Sequence, residues 1–354
     1  MEPLFSAVIC GCNAAPEALV CYERAELLCR SLGRPIRLSV ALTGQWRYSL
    51  NTDKLTTTIR IAARIYSLAK EQNDPTLMLR AYRALACTHY YLGDFEAARQ
   101  YSRRGVEISR SEKIQPYTKD PDTPPVACLC YLAGSQWHLG EMSSSQANIA
   151  EAVSISKRVN DMHALALALY WAARLALDDR NAGEVERVAS ELIELSTRNS
   201  FVFWLATGEV YRGWARSALG NTAEGIPWLE QGIRDFRATG AVLGLPVWLA
   251  QKAEALHLAN RTFEALEAIN EAEALAERFE QRFCQAELHR LRGVFLAAIG
   301  ADETQIEASF SAAISTAQEQ KSVSLEKRAE ATYAEYRRQK ASSSGGREFR
   351  LPLR

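Results

Sequence analysis

Small residues recur along this chain at helical spacing. Eight helix-breaking positions can be marked, at Asn13, Asn51, Gly93, Gly140, Arg180, Gly220, Asn260 and Gly300. Five residues after each break the chain reads Ala18, Thr56, Ala98, Ser145, Val185, Gly225 and Ala265, with Ile306 after a one-residue insertion. Seven further on come Ala25, Ala63, Gly105, Ala152, Leu192, Gly232, Ala272 and Ala313. Positions seven apart share one stripe of an α-helix, and a stripe of Ala and Gly lets two helix backbones approach closely. The pattern therefore predicts a helix B after each break, packed on a helix A before it. From Gly140 to Gly300 the breaks fall 40 residues apart. A fixed period in the range of roughly 20–50 residues means that one helix pair is stacked repeatedly, each pair burying its apolar face on its neighbours.

The other helix ends fit the same register. SLGRP, EQNDP, RVND, TRNS and ATG place Gly, Asn, Asp or Pro where one pair hands over to the next. The short β-branched or aromatic runs, SAVIC near the start and FVFW at 201–204, are too few for a sheet. The third repeat carries the pattern best, with Tyr82, Leu85, Ala86 and His89 on helix A and LGDFEAA placing Phe95 and Ala98 on helix B. This resembles the tetratricopeptide repeat, over about residues 13–321, with a longer period and with Arg180 in place of the turn glycine. The expected fold is an all-α, right-handed solenoid of about seven antiparallel helix pairs with a C-terminal capping helix.

Three irregularities interrupt the array. The widest gap, between Gly93 and Gly140, contains SEKIQPYTKDPDTPP at 111–125, whose four prolines forbid a continuous helix. It reads as a solvent loop or as one folded over the groove. At the amino end, residues 1–12 form an irregular segment and the first clear element, APEALVCYERAELLCRSLG, is of B type. An unpaired B helix exposes its stripe, so its A partner is expected upstream or in a poor cap. At the carboxyl end, 322–340 carries charge around most of its circumference and reads as a solubilising cap, followed by a tail at 341–354 expected to be disordered. The solenoid proper is assigned to 13–340.

Charge narrows the partners. Forty-two basic residues balance forty-two acidic ones, which leaves no excess to neutralise phosphates and argues against direct nucleic-acid binding. The eight cysteines form no CxxC pair, and they read as core thiols of a cytoplasmic protein. The apolar runs are far short of the ~20 residues a membrane helix needs. No GxxxxGK[ST] loop, HExxH or nucleophile–base pair is present, so no catalytic, cofactor or metal residue is assigned. Asp178, Asp179 and Arg180 read as a polar hairpin tip, and the stems of Arg212 and Arg292 are expected between repeats with their heads on carbonyls or Glu287.

Longer stretches carry a second resemblance: DPDTPPVACLCYLAGSQWHLG, YRGWARSALGNTAEGIPWLEQGI and AELHRLRGVFLAAIGADETQIEASFSAAISTAQEQKSVSLEKRAE. They are similar to the carboxyl-terminal repeat region of bacterial signalling proteins in which an adenylate/guanylate cyclase or winged-helix domain precedes an AAA-type ATPase module. The resemblance implies a regulatory or sensing arm without chemistry of its own. The tetratricopeptide register places groove-lining positions on helix A at Arg83, Tyr90, Trp137, Tyr170, Arg174, Trp214, Glu254, His257 and Arg290. Aromatics with Arg suit the capture of an extended peptide or protein segment, or of a small effector.

Overall fold

In the computed structural model, residues 14–112 and 123–342 are described. They form sixteen helices and no strand. The first is α1 (Pro16–Ser31), and seven antiparallel pairs follow: α2 (Pro35–Thr52) with α3 (Leu55–Gln72), α4 (Pro75–Tyr91) with α5 (Phe95–Ser111), α6 (Pro124–His138) with α7 (Met142–Val159), and α8 (Met162–Asp178) with α9 (Ala182–Asn199). The array continues through α10 (Val202–Ala218) with α11 (Thr222–Ala238), α12 (Leu245–Leu258) with α13 (Thr262–Arg278), and α14 (Gln285–Ala298) with α15 (Glu303–Glu319). Helix α16 (Val323–Ser342) ends it. The expected solenoid is present, and the FVFW run opens α10.

The breaks work by left-handed backbone. Gly93, Gly140, Arg180, Gly220, Asn260 and Gly300 all have positive φ, as do Gly33, Asn73, Asn160, Ser200, Gly240, Glu280 and Lys321 at the other end of the pairs. Glycine adopts this conformation without a Cβ clash. Asp and Asn then cap the next helix, Asp74, Asp94, Asp161, Asn181 and Asn221 each accepting from an amide of the first turn.

The small-residue stripe is the contact line between A and B helices. Ala98, Gly105, Ala152, Gly225, Gly232, Ala265, Ala272 and Ala313 are all buried. The first pair departs from the predicted register. Thr56 and Ala63 are exposed, while Leu55, Thr58, Ala62 and Ile65 are buried. Asn51 is still helical, its side-chain amide donating to the Arg47 carbonyl oxygen, and the break falls at Asp53–Lys54. Moved there, it lies 40 residues before Gly93 (93 − 53), so the period holds wherever the proline segment does not intervene. Of that segment, Pro124 and Pro125 start α6, where a missing N–H costs nothing; 113–122 lie outside the described residues, as do 1–13 and the tail from 343.

Helix α1 has no buried residue and leaves Val20, Leu27 and Leu28 exposed. Among the described residues it packs on α2, where Gln45 Nε2 donates to Glu26 Oε2 at 2.7 Å; the expected upstream partner falls outside the described residues.

The superhelix returns on itself. Turns of the early pairs dock on turns of the late ones: the Val242 amide donates to the Asn51 carbonyl oxygen at 2.8 Å, and the Thr56 amide to Glu280 Oε2 at 2.8 Å. Further along, Gln320 Nε2 donates to the Arg282 carbonyl oxygen beside Gly93. His138 Nδ1 meets Ser322 Oγ at 2.9 Å, and Ser324 Oγ donates to the Trp137 carbonyl oxygen at 2.5 Å. Helix α16 is therefore more than a polar cap. It buries Leu325, Ala329, Thr332 and Tyr336 and fastens the carboxyl end to α6.

The stripe makes a sharp prediction. A Cβ on Gly225 would lie 2.4 Å from the Gly213 carbonyl oxygen, so Gly225→Ala is expected to destabilise by about 1–3 kcal/mol. A Cβ on Gly183 would meet only Asn181 Oδ1, at an ordinary 3.9 Å, and Gly183→Ala should be neutral or stabilising by up to about 1 kcal/mol. Denaturant midpoints of the two variants check the register.

Candidate functional site

The turn between α8 and α9 is built unlike the others. Arg180 holds φ at +59° where four of the corresponding turns use glycine, a conformation costing a non-glycine residue on the order of 1 kcal/mol. Its side chain offsets that cost by reaching inward. Arg180 Nη1 donates to both carboxylate oxygens of Glu254 on α12, at 2.9 and 2.6 Å, and Nη2 donates to Glu287 on α14. These partners lie 74 and 107 residues away in sequence. The clamp joins three repeats across the middle of the superhelix.

Around it the charges interlock. Arg174 Nε donates to Asp178 Oδ2 at 2.9 Å within α8, with its guanidinium 5.4 Å from the Phe283 ring. Arg290 donates from Nε and Nη2 to the two oxygens of Glu287 at 2.9 and 2.7 Å, and from Nη1 to Thr332 on α16 at 3.3 Å. Trp214 Nε1 donates to Glu254 Oε2 at 3.0 Å, and Trp137 Nε1 to Asp179 at 2.7 Å. From α16, Arg328 donates to the Asp178 carbonyl oxygen, and its Nη1 lies 3.6 Å from Glu287. Three nearby guanidinium groups hold the Glu287 carboxyl far below the usual range despite its burial. Burial outweighs Arg174 at Asp178 and pushes that carboxyl up.

Beside the cluster, His138 sits in an aromatic slot. Its ring stacks on Phe95 at 3.6 Å, with Nε2 3.4 Å from the Tyr90 hydroxyl. Burial, then the positive charges of Arg174 and Arg328, drive its pKa well below normal. The imidazole is held neutral at the junction of α4, α6 and α16.

The sequence-predicted positions divide. Trp137, Arg174, Trp214, Glu254 and Arg290 join the cluster, and Tyr90 touches its edge through His138. Tyr170 lies in an aromatic group with Trp204 and Tyr211. Arg83 places its guanidinium 4.5 Å over Trp46, and His257 pairs with Thr262 Oγ1 and faces Phe295; neither belongs to the cluster. Tyr90, Trp137, Arg174, Trp214, Glu254 and Arg290 are buried. What should be an open groove is closed to a cavity of about 30 Å³ between His138, Arg174, Gln251, Glu254, Phe283 and Glu287, room for a water molecule or two.

Two expectations need correction. Asp178 and Arg180 are no solvated tip, because the returning superhelix brings Glu254, Glu287 and Arg328 over them. Arg212 and Arg292 do not reach Glu287 either: Arg212 stacks over Trp228 and Arg292 pairs with Glu273. Sequence reasoning missed Asp178, Arg180, Gln251, Glu287 and Arg328 as members of one site. The available signal was an arginine in a glycine slot. Among the described residues no group of His, Cys, Asp and Glu is placed to hold a metal ion, and no helix is long and apolar enough to cross a membrane.

The fold and this closed interior define an all-α, tetratricopeptide-like helical-repeat solenoid. Two solved structures share its course: a Rap protein complexed with competence and sporulation factor (TM-score 0.59, 11% identity, 96% of this chain and 97% of that one) and NprR in complex with its cognate peptide NprX (TM-score 0.59, 11% identity, 98% and 93%). No family model matches the chain. An uncharacterized protein of Rhizobium meliloti (strain 1021) is 23% identical over 270 residues, which are 76% of this chain and 26% of that protein. The chain thus spans about a quarter of the length of this curated relative.

Two outcomes test the cluster. Arg180→Gly relieves about 1 kcal/mol of backbone strain but leaves the buried Glu254 carboxylate without its guanidinium partner, which costs about 3–5 kcal/mol; a net loss of stability in urea unfolding is expected. His138 gives a pH signature of definite sign. The unfolded chain binds its proton below a pH of about 6.5, whereas the folded chain, whose His138 pKa is depressed, does not. Stability should fall as pH drops through 6.5 toward 5, with a shallower fall in His138→Asn measured by thermal unfolding.

Proposed function

We propose that the chain is a non-catalytic regulatory solenoid that captures an extended peptide between its A helices, and that capture opens the closed interior. The observation that carries this reading is Gln251 on α12. It is only 2% exposed and lines the central cavity, yet neither atom of its amide has a hydrogen-bond partner among the described residues. Such a group costs about 1–3 kcal/mol relative to a satisfied one. A side-chain amide offers the same donor and acceptor as a peptide unit, so it can pair with the backbone of a ligand whatever its sequence. Arg174, Glu254 and Arg290 beside it supply charged hydrogen bonds, and Trp137 and Trp214 supply stacking surface.

The cavity is too small for a peptide as it stands. A ligand must part the A helices, exchanging its own contacts for those of the Arg180 clamp, and the equilibrium then shifts by the difference in affinity between open and closed forms. That coupling turns binding into a signal. Of the two solved structures of like fold, NprR is in complex with its cognate peptide NprX and the Rap protein with competence and sporulation factor; the former supports the same class of ligand here. The greater length of the Rhizobium meliloti relative supports the further reading of this chain as the sensing arm of a larger signalling protein, with a cyclase, ATPase or DNA-binding output supplied by other domains.

Panning a phage-displayed heptapeptide library on the wild-type chain tests the proposal. Selected peptides should lose at least about tenfold in affinity, some 1.4 kcal/mol, on Gln251→Met and on Arg290→Glu. Gln251→Met should at the same time raise the melting temperature, because it removes an unsatisfied buried amide. Selected peptides that bind both variants as tightly as the wild type would sink the groove model.

A further inference from the structure

The buried cluster does not balance. Four guanidinium groups meet three carboxylates: Arg174 is matched by Asp178, Arg180 by Glu254 and Arg290 by Glu287. Arg328 is left without a carboxylate of its own. It donates to the Asp178 carbonyl oxygen, stands 3.6 Å from a Glu287 oxygen already shared by Arg180 and Arg290, and lies over the Trp137 ring at 5.4 Å. Its side chain is only 13% exposed. Burial, with repulsion from Arg180 and Arg290, pushes its pKa down, the mark of a cation that lacks full compensation.

Arg328 also lines a cleft of about 780 Å³ at the seam between α16, the turns at Gly140 and Arg180, and the end of α10 at Ala218 and Leu219. That volume is ordinary for a small-molecule site. Lys327, exposed, stands on the same wall. Three helices also begin at this cleft, α7 at Met142, α9 at Ala182 and Gly183, and α16 at Val323 and Ser324, so their positive ends add to the cationic potential. The acidic residues of the lining are Asp178 and Asp179. The first is committed to Arg174, and the second accepts the Trp137 indole N–H.

We propose that this seam cleft binds an oxyanion, a phosphate or carboxylate group, held by Arg328 and Lys327 of α16 against the start of α9. The bound group supplies the missing counter-charge and ties α16 to the α8–α9 turn. It therefore favours the closed ring, opposite in sense to a peptide that parts the A helices. The site does not depend on the peptide reading, since Arg328, Lys327 and the start of α9 line this cleft whether or not the A helices take a ligand. An effector of this class sets how readily the ring opens.

Inorganic phosphate and acetate, each compared with chloride at equal ionic strength, are the probes. Phosphate at about 50 mM is expected to raise the melting temperature of the wild-type chain by about 2 °C or more over chloride and to slow hydrogen exchange in α16. The shift should vanish in Arg328→Gln, survive in Arg328→Lys and grow in Asp179→Asn, with far-UV circular dichroism showing that each variant is folded. An equal response to acetate assigns the site to carboxylates, and a response to phosphate alone assigns it to phosphoryl groups. No shift beyond chloride with either anion, or the same shift in wild type and Arg328→Gln, overturns the proposal. Either result leaves the Gln251 test untouched, so the two readings fail separately.

Discussion

The closed shape of this solenoid is tied through its middle by one charged clamp, the guanidinium of Arg180 held between Glu254 and Glu287. Neighbouring helix pairs would stack without it, because their contacts are local and rest on the Ala and Gly stripe. Local stacking does not decide how far the superhelix curls. That is set by contacts between residues far apart in sequence. They are turn-to-turn hydrogen bonds such as Val242 to Asn51, exposed ion pairs such as Lys321 with Glu96, apolar contacts such as Phe283 on Tyr91 and the buried group of Ala133, Trp137, Ala286, Ala317 and Leu325, and the buried charged cluster. Exposed pairs are worth at most about 1 kcal/mol each. Among the polar closing contacts the cluster is the one whose loss costs several kcal/mol, because its charges are largely buried and depend on one another.

This division between stacking and closing contacts underlies the proposed opening of the interior. Because stacking within and between neighbouring pairs does not rest on the closing contacts, the proposed opening parts the seam and leaves every helix pair intact. Charges suit such a seam. Buried and paired they hold it shut; parted, they regain water, which offsets part of the cost of exposing Phe283 and Leu325 beside them. The neutral His138 wedged between Phe95, Tyr90 and Ser322 adds a proton-sensitive contact at the same junction.

Much of the fold was legible because its rules are local. Positive φ at the six breaks from Gly93 to Gly300, caps from Asp and Asn, and small residues seven apart all follow from neighbours within a few turns. Where local chemistry was ambiguous the reading slipped: Asn51 looked like a break but bonds back to Arg47, and the true one, Asp53–Lys54, carries no glycine. The candidate site was legible only in part. Trp137, Arg174, Trp214, Glu254 and Arg290 followed from the register of helix A, which says which way a side chain faces. The register does not say how far the superhelix curls. The partners of Arg180 therefore stayed hidden, and the charged surface of α16 read as solvated although Arg328 lies inside.

Arg180 shows how such a site could be found in other chains of this kind. A turn that needs left-handed backbone accepts glycine without strain, so a long charged residue there is held against a cost of about 1 kcal/mol. A solvated tip gains nothing from such an exchange. The side chain must find a partner worth more than the strain, and within its own pair the charges of α8 are already matched by Arg174 with Asp178. The partner then has to come from another part of the superhelix, which means that the array closes. On this reasoning the departure from the repeat pattern at Arg180, rather than the pattern itself, carries the information about tertiary shape.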